Sequence, residues 1–242
     1  MEKNKEITYS FEICDYKQIS TIAAEELALI DNVQYDQVKI PSGGGLAFEI
    51  ADDEDSRIAK EIVGVIAYHC PQNAYWRDAF SGAGKLPDCS STDGIHGIDT
   101  SGAVKECATC PLNRFGSRGQ GKACKNMHKL FVLESGSAMP LVIVIPPTSL
   151  INFSNYVAKK IVNKKLFLSQ CITKIGLKKA KSRDGIDYSE LTFSLIGQLA
   201  DEDWTVVQEM SHGIKMHGKA ELLLDEAPAA APAYDEDDDL PF

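Results

Sequence analysis

Four of the seven cysteines lie in one stretch, Cys89, Cys107, Cys110 and Cys124, spaced C-x17-C-x2-C-x13-C. Two thiolates with two residues between them can reach one ion from a single turn. One further thiol on each side completes a tetrahedral sulfur shell. The segment around them, about residues 81–128, is glycine-rich and has no apolar periodicity, so it cannot build a core of its own. A metal clip supplies the missing folding free energy. Zinc is the expected ion, with an iron–sulfur cluster as the alternative that Cys110-Pro111 mildly supports, and four unrelated reduced thiols as the third reading. His96 and His128 are bystanders or substitutes for one ligand. Cys14, Cys70 and Cys171 sit in apolar contexts and read as core thiols. A complete thiolate shell leaves no position for a reactive water. H-E-x-x-H is absent, as is the deaminase pairing of H-x-E with P-C-x-x-C, so the metal is expected to be structural and no residue is assigned as catalytic.

Between the third and fourth cysteines, Gly116 to Lys122 matches the first seven positions of G-x-x-x-x-G-K-[ST], but Ala123 stands where the magnesium-holding hydroxyl belongs. No apolar strand leads into it. The better reading is a basic loop carrying Arg114, Arg118, Lys122 and Lys125, suited to phosphate oxygens.

The chain has 242 residues and a formal net charge of −10, which taken whole argues against a nucleic-acid partner. The charge is segregated, however. Residues 105–183 hold 15 Lys and Arg against 2 Asp and Glu. Beyond the loop, this basic region continues through Lys159, Lys160, Lys164, Lys165, Lys174, Lys178, Lys179, Lys181 and Arg183. Phe115, Phe131, Phe153, Tyr156 and Phe167 are interleaved with it, and Tyr75, Trp76 and Phe80 lie just upstream. A cationic groove with aromatic platforms is how proteins hold single strands without reading sequence. Tyr75, Trp76 and Tyr156, with polar neighbours, are the preferred stacking residues, and most of the phenylalanines read as core.

These residues must be positioned by the rest of the chain. Apolar spacing predicts a helix over 15–30, strands over 33–40 and 46–50 about a Pro41–Gly45 turn, and a strand or buried helix over 58–68. A hairpin is expected from 129–134 and 141–145, then a helix over 149–161 capped by Thr148 or Ser149. A second hairpin, 167–181 with 188–196, turns at Asp184-Gly185. A last helix covers 201–217. The class is α+β, mainly β, and an OB-like barrel core with the cysteine insert fits these elements. No apolar run reaches the ~18 residues of a membrane span, no secretory signal opens the chain, and the odd cysteine count suggests reduced thiols. A cytoplasmic protein with no membrane partner is expected.

Residues 225–233 form an Ala/Pro linker, and 235–242 read Asp-Glu-Asp-Asp-Asp-Leu-Pro-Phe. Composition predicts a disordered acidic tail after a domain spanning 1–224. These last eight residues resemble the C-terminal tip of bacterial single-stranded DNA-binding proteins, which end in several acids, an aliphatic residue, Pro and a terminal Phe. The resemblance implies that Asp237, Asp238, Asp239, Leu240, Pro241 and Phe242 dock replication and repair proteins, and that the tip competes with DNA for the body's basic groove. The body resembles, more broadly, phage single-stranded DNA-binding proteins that combine an OB-type core, a zinc subdomain and an acidic tail. The resulting expectation is a non-enzymatic protein that coats single-stranded DNA during replication, recombination and repair, with homo-oligomerisation left open. Two alternatives are a nuclease or glycosylase gripping DNA through its cluster, and a zinc-containing adaptor or anti-defence protein that mimics a host tail.

Overall fold

The computed structural model describes residues 11–15, 18–19, 21–22, 35–51, 56–78, 86–182 and 185–217, the last three by backbone alone. Most of the expected 15–30 helix, Phe80, Arg183 and the tail with its tip lie outside the described residues.

The structure is mostly β. Its strands are β1 (Gln37–Lys39), β2 (Phe48–Ile50), β3 (Arg57–Ala59), β4 (Glu61–Tyr75), β5 (Cys89–Ser91), β6 (His96–Asp99), β7 (Val104–Glu106), β8 (Cys124–Glu134), β9 (Leu141–Ile145), β10 (Cys171–Lys181) and β11 (Asp187–Gln198). Helices among the described residues include α1 (Leu150–Tyr156), continued by a π-helical turn Val157–Ile161, and α2 (Asp201–His217). The expected hairpins form, β8 with β9 and β10 with β11. Gly43 and Gly44, with φ of 68° and 78°, make the turn between β1 and β2.

The OB-like barrel does not form. The strands make one open mixed sheet in the order β3-β2-β1-β9-β8-β4-β5-β6-β7, with β10 and β11 branching from β4. Two features keep it open. β1 joins β9 in parallel, Val38 beside Ile143, which leaves β3 at one end of the path. And β4 forks: one edge follows β8 from Gly64 to Tyr75, while the other serves β10 over 61–65 and β5 over 73–75. Pro71 falls in the stretch between, 66–72, where the ladder pairs β4 with β8 alone, the kind of position a residue without an N–H tolerates.

β8 is buried on both faces. Leu130, Phe131, Val132 and Leu133 are each at most 1% exposed, which explains a continuous apolar run in place of alternation. Burial of side chains this size contributes roughly 1.5–3 kcal/mol each. One face carries Ile62, Ile66, Leu130, Val132 and Ile143 under Phe153, Tyr156 and Ile161 of α1 and its continuation. The opposite face carries Val65, Phe131, Leu133 and Ile172 under Val207, Met210 and Ile214 of α2, a helical spacing. Ser149 precedes α1 but makes no side-chain cap; its hydroxyl instead accepts the buried Leu191 N–H at 2.9 Å, tying α1 to β11.

Candidate functional site

At the far end of β4, Tyr75 pairs with Cys89 of β5 on one side and Cys124 of β8 on the other. Directly opposed residues share a face of the sheet, so both thiols flank the Tyr75 side chain. From there β5, β6 and β7 form an antiparallel meander. Its two turns are built by carboxylates. Asp93 accepts the N–H groups of Ile95 and His96 at 2.7 and 2.8 Å. Asp99 accepts those of Ser101 and Ala103 at 2.9 and 3.0 Å and pairs with Lys105 at 2.7 Å. The Lys105 bond, with those from Ser101 and Ala103, holds the Asp99 carboxyl well below the usual carboxylate range. At Asp93 desolvation acts upward as the largest single effect, but the bonds from His96, Ile95 and Ser91 together outweigh it and keep that carboxyl low as well.

The Cys107–Cys110 turn folds back over this meander. Cys107 N–H donates to Ile95 O at 2.7 Å, and Asn113 binds both cysteine carbonyls, through its side chain to Cys107 and its N–H to Cys110. Pro111 opens the short 3-10 turn that follows. All four cysteines line one cleft of about 200 Å³. Gly97 forms part of its wall. A Cβ there would lie 3.0 Å from Cys89 Sγ and 3.6 Å from Cys107 Sγ, so glycine is what leaves room for the thiols. Burial pushes the Cys124 thiol up to about 12, and repulsion from Cys107, Cys89 and Cys110 adds to it. Cys89 is raised by burial too, partly offset by Lys105. Four soft donors that repel one another when ionised, around a cradle that a Cβ would fill, fit a thiophilic cation. Among the described residues, no three His, Cys, Asp or Glu side chains stand in a closed ligating arrangement, so the thiols line a cleft and not a finished shell.

The Gly116–Lys122 loop is not a phosphate cradle of the nucleotide-binding kind. Gly116 and Arg118 N–H groups both donate to Gly121 O at 3.1 Å, Gly121 N–H returns to Arg118 O at 3.2 Å, and Ala123 N–H is taken by Ser117 Oγ at 2.8 Å. Its donors are consumed internally, and what it presents outward is charge. Lys122 Nζ lies 4.5 Å above the centre of the Phe115 ring, which is 57% exposed. The same ammonium donates to Asn126 at 3.0 Å, Asn126 to Asn73 at 2.6 Å, and Asn73 to Gly94 O at 3.3 Å, a relay that pins the meander to β4 and β8.

Ion pairing divides the cations of the basic region. On the β10–β11 ribbon, Lys178 pairs with Glu190 at 2.8 Å, Lys179 and Lys181 with Asp187 at 2.7 and 3.9 Å, and Lys174 with Glu61 at 3.6 Å. Lys129 is wholly buried. Arg114, Arg118, Lys122, Lys125, Lys159, Lys160, Lys164 and Lys165 make no ion pair among the described residues. Burial lowers the Lys125 pKa and repulsion from Arg118 adds to it, the mark of uncompensated positive charge. The expected stacking residues separate as well. Tyr75 lines the thiol cleft and Trp76 is half-buried. Tyr156 does not fit the role: it is 4% exposed and its hydroxyl is joined to that of Thr173 at 2.7 Å, so no base can reach its ring. Among the described residues the open rings are Phe115 and Phe167, the latter 63% exposed and stacked on Trp204 at 5.1 Å. Charged and glycine neighbours around Phe115 were the available signal. Of the apolar-context cysteines, Cys70 and Cys171 are buried and Cys14 is half-buried.

No helix among the described residues is long and apolar enough to cross a membrane. No family model matches the chain, and neither a curated protein nor a solved structure shows a significant likeness to it.

Proposed function

We propose that the protein binds single-stranded DNA without sequence readout, with the thiol-held knuckle as its primary contact. The observation that carries this reading is the set Arg114, Arg118, Lys122 and Lys125, cations that make no ion pair among the described residues, with Lys122 over the exposed Phe115 ring. Guanidinium and ammonium groups take phosphates, and an exposed ring takes a base at roughly 1–3 kcal/mol. Lys159, Lys160, Lys164 and Lys165 are a second set with no ion pair among the described residues, while the β10–β11 lysines hold their own acids and contribute less. Zinc on Cys89, Cys107, Cys110 and Cys124 orders the knuckle and takes no part in bond-making. The C-terminal tip, by its resemblance, recruits replication and repair proteins from the cytoplasm and competes for the same cations.

Fluorescence anisotropy with labelled oligo-dT at two salt concentrations tests this. Arg114→Ala with Arg118→Ala should weaken binding and flatten the dependence of log K on log salt, by about 0.7 for each phosphate no longer neutralised. Lys178→Ala with Lys179→Ala should change the slope far less. Absence of binding at low salt, in the intact protein and in one lacking residues 235–242, refutes the reading.

A further inference from the structure

On the sheet face that holds Tyr75 and Cys124, register places Asn73 beside Asn126 and then Pro71 beside His128. His128 Nε2 meets His69 Nδ1 at 2.7 Å, with the two rings 5.0 Å apart and Phe153 of α1 against both, at 5.2 and 5.8 Å. His69 keeps an exposed edge and His128 is half-buried. The pair thus lies on the same two strands and the same face as the Lys122–Asn126–Asn73 relay.

A contact this short needs one N–H donating to one bare nitrogen. The pair can accept one proton at an outer nitrogen and keep that bond, now strengthened by charge. It cannot accept two without setting two N–H groups head to head. Among the described residues no carboxylate is paired with these two histidines to favour the first proton. β9 has no titratable residue. α1 brings Tyr156, held by Thr173, and its continuation Lys159 and Lys160; β11 brings Tyr188 and the carboxylates Glu190 and Asp187, both paired with lysines. On β4 and β8, Tyr68, Cys70 and Lys129 turn to the opposite face, where Tyr68 packs on Phe131. Burial lowers both imidazoles, and His69 lowers His128 further, to about 4. The pair is neutral at pH 7, and a counter-ion must come from outside.

We propose that the His69–His128 pair is a phosphodiester contact that takes up one proton from solvent when the strand binds, so that affinity rises as pH falls. This rests on the single-strand reading above. One linked proton allows at most about tenfold per pH unit. The test is oligo-dT titration at constant ionic strength from pH 8 to 5.5, on the intact protein and on His69→Gln, His128→Gln and His96→Gln. The intact protein and His96→Gln should tighten by about tenfold across that range. His69→Gln and His128→Gln should lose the gain while staying within about threefold of the intact protein at pH 8. As a second readout on the unmutated chain, the histidine ring NMR signals should show the pair's pKa rising on DNA addition. Equal pH slopes in all four proteins overturn the proposal and leave DNA binding standing. No binding at any pH overturns both. A second equivalent of zinc that is lost in His69→Gln also overturns it, because a metal and not a proton then joins the rings.

Discussion

Gly97 carries no unusual backbone angle, so its importance is one of volume. A Cβ there would sit 3.0 Å from Cys89 Sγ, which must then give by a few tenths of an ångström, and in ordinary contact with Cys107 Sγ at 3.6 Å. Gly97→Ala should therefore displace the Cys89 sulfur and weaken zinc severalfold, measured by competition with a chromogenic chelator, while overpacking costs roughly 1–3 kcal/mol. The gathering of Cys89, Cys107, Cys110 and Cys124 at one cleft was legible in the sequence from spacing, because C-x2-C imposes a local geometry. Gly97 was not, since nothing in a sequence says which glycine will face a sulfur from a neighbouring strand. Tyr156 was misjudged for a related reason. Its sequence neighbours are polar, but the ring packs on Phe193 across the sheet at 5.8 Å and lies in one core cluster with Phe153 and Ile161, contacts that adjacent residues do not reveal.

At the scale of elements, both long hairpins were readable from turn chemistry and apolar runs, as was α2 from its spacing and acidic first turn. What escaped is strand order. The parallel join of β1 to β9 and the fork of β4 are contacts between distant segments, and no local pattern encodes them. The boundaries of the insert also move: β8 begins at Cys124 and is continuous with the core sheet, so the excursion is 76–123 and not 81–128. Its meander depends on Asp93 and Asp99 as well as on the thiols. Both carboxyls have depressed pKa values, so their stabilisation is complete above the unfolded value of about 4 and is lost as pH falls through the folded values. Thiolates, by contrast, must lose protons to bind metal, so the proposed zinc should leave first as pH drops. Hydrogen exchange should show the amides of 89–113 losing protection on chelation at neutral pH, with those of β8 to β10 retaining it. Simultaneous loss in both regions would mean that the insert is not a separate cooperative unit.

For the whole molecule, the net charge of −10 is a poor guide to partners because opposite charges occupy different places. Within the basic region the structure makes a further division, between the ion-paired ribbon and the loop cations Arg114, Arg118, Lys122 and Lys125, which make no ion pair among the described residues. Deletion of residues 235–242 removes five acids and the terminal Phe242. It should tighten oligo-dT binding severalfold at low salt, abolish capture of replication or repair proteins, and lose its effect on DNA as salt rises past the ~10 Å Debye length at 0.1 M. Unchanged affinity at every salt would separate the tip from the DNA surface. The adjacency of Tyr75 and Cys124 has one more consequence. A chain that leaves the sheet at Tyr75 and returns at the position directly beside it encloses everything between as a closed excursion from the tip of a β-hairpin. Joining β4 to β8 by a two-residue turn would remove the β4–β5, β5–β6 and β6–β7 pairings with the excursion and leave the pairings among the remaining strands in place. The cysteine knuckle is in that sense a detachable module, one that could be grafted onto or excised from a hairpin of another protein without redrawing the host's topology.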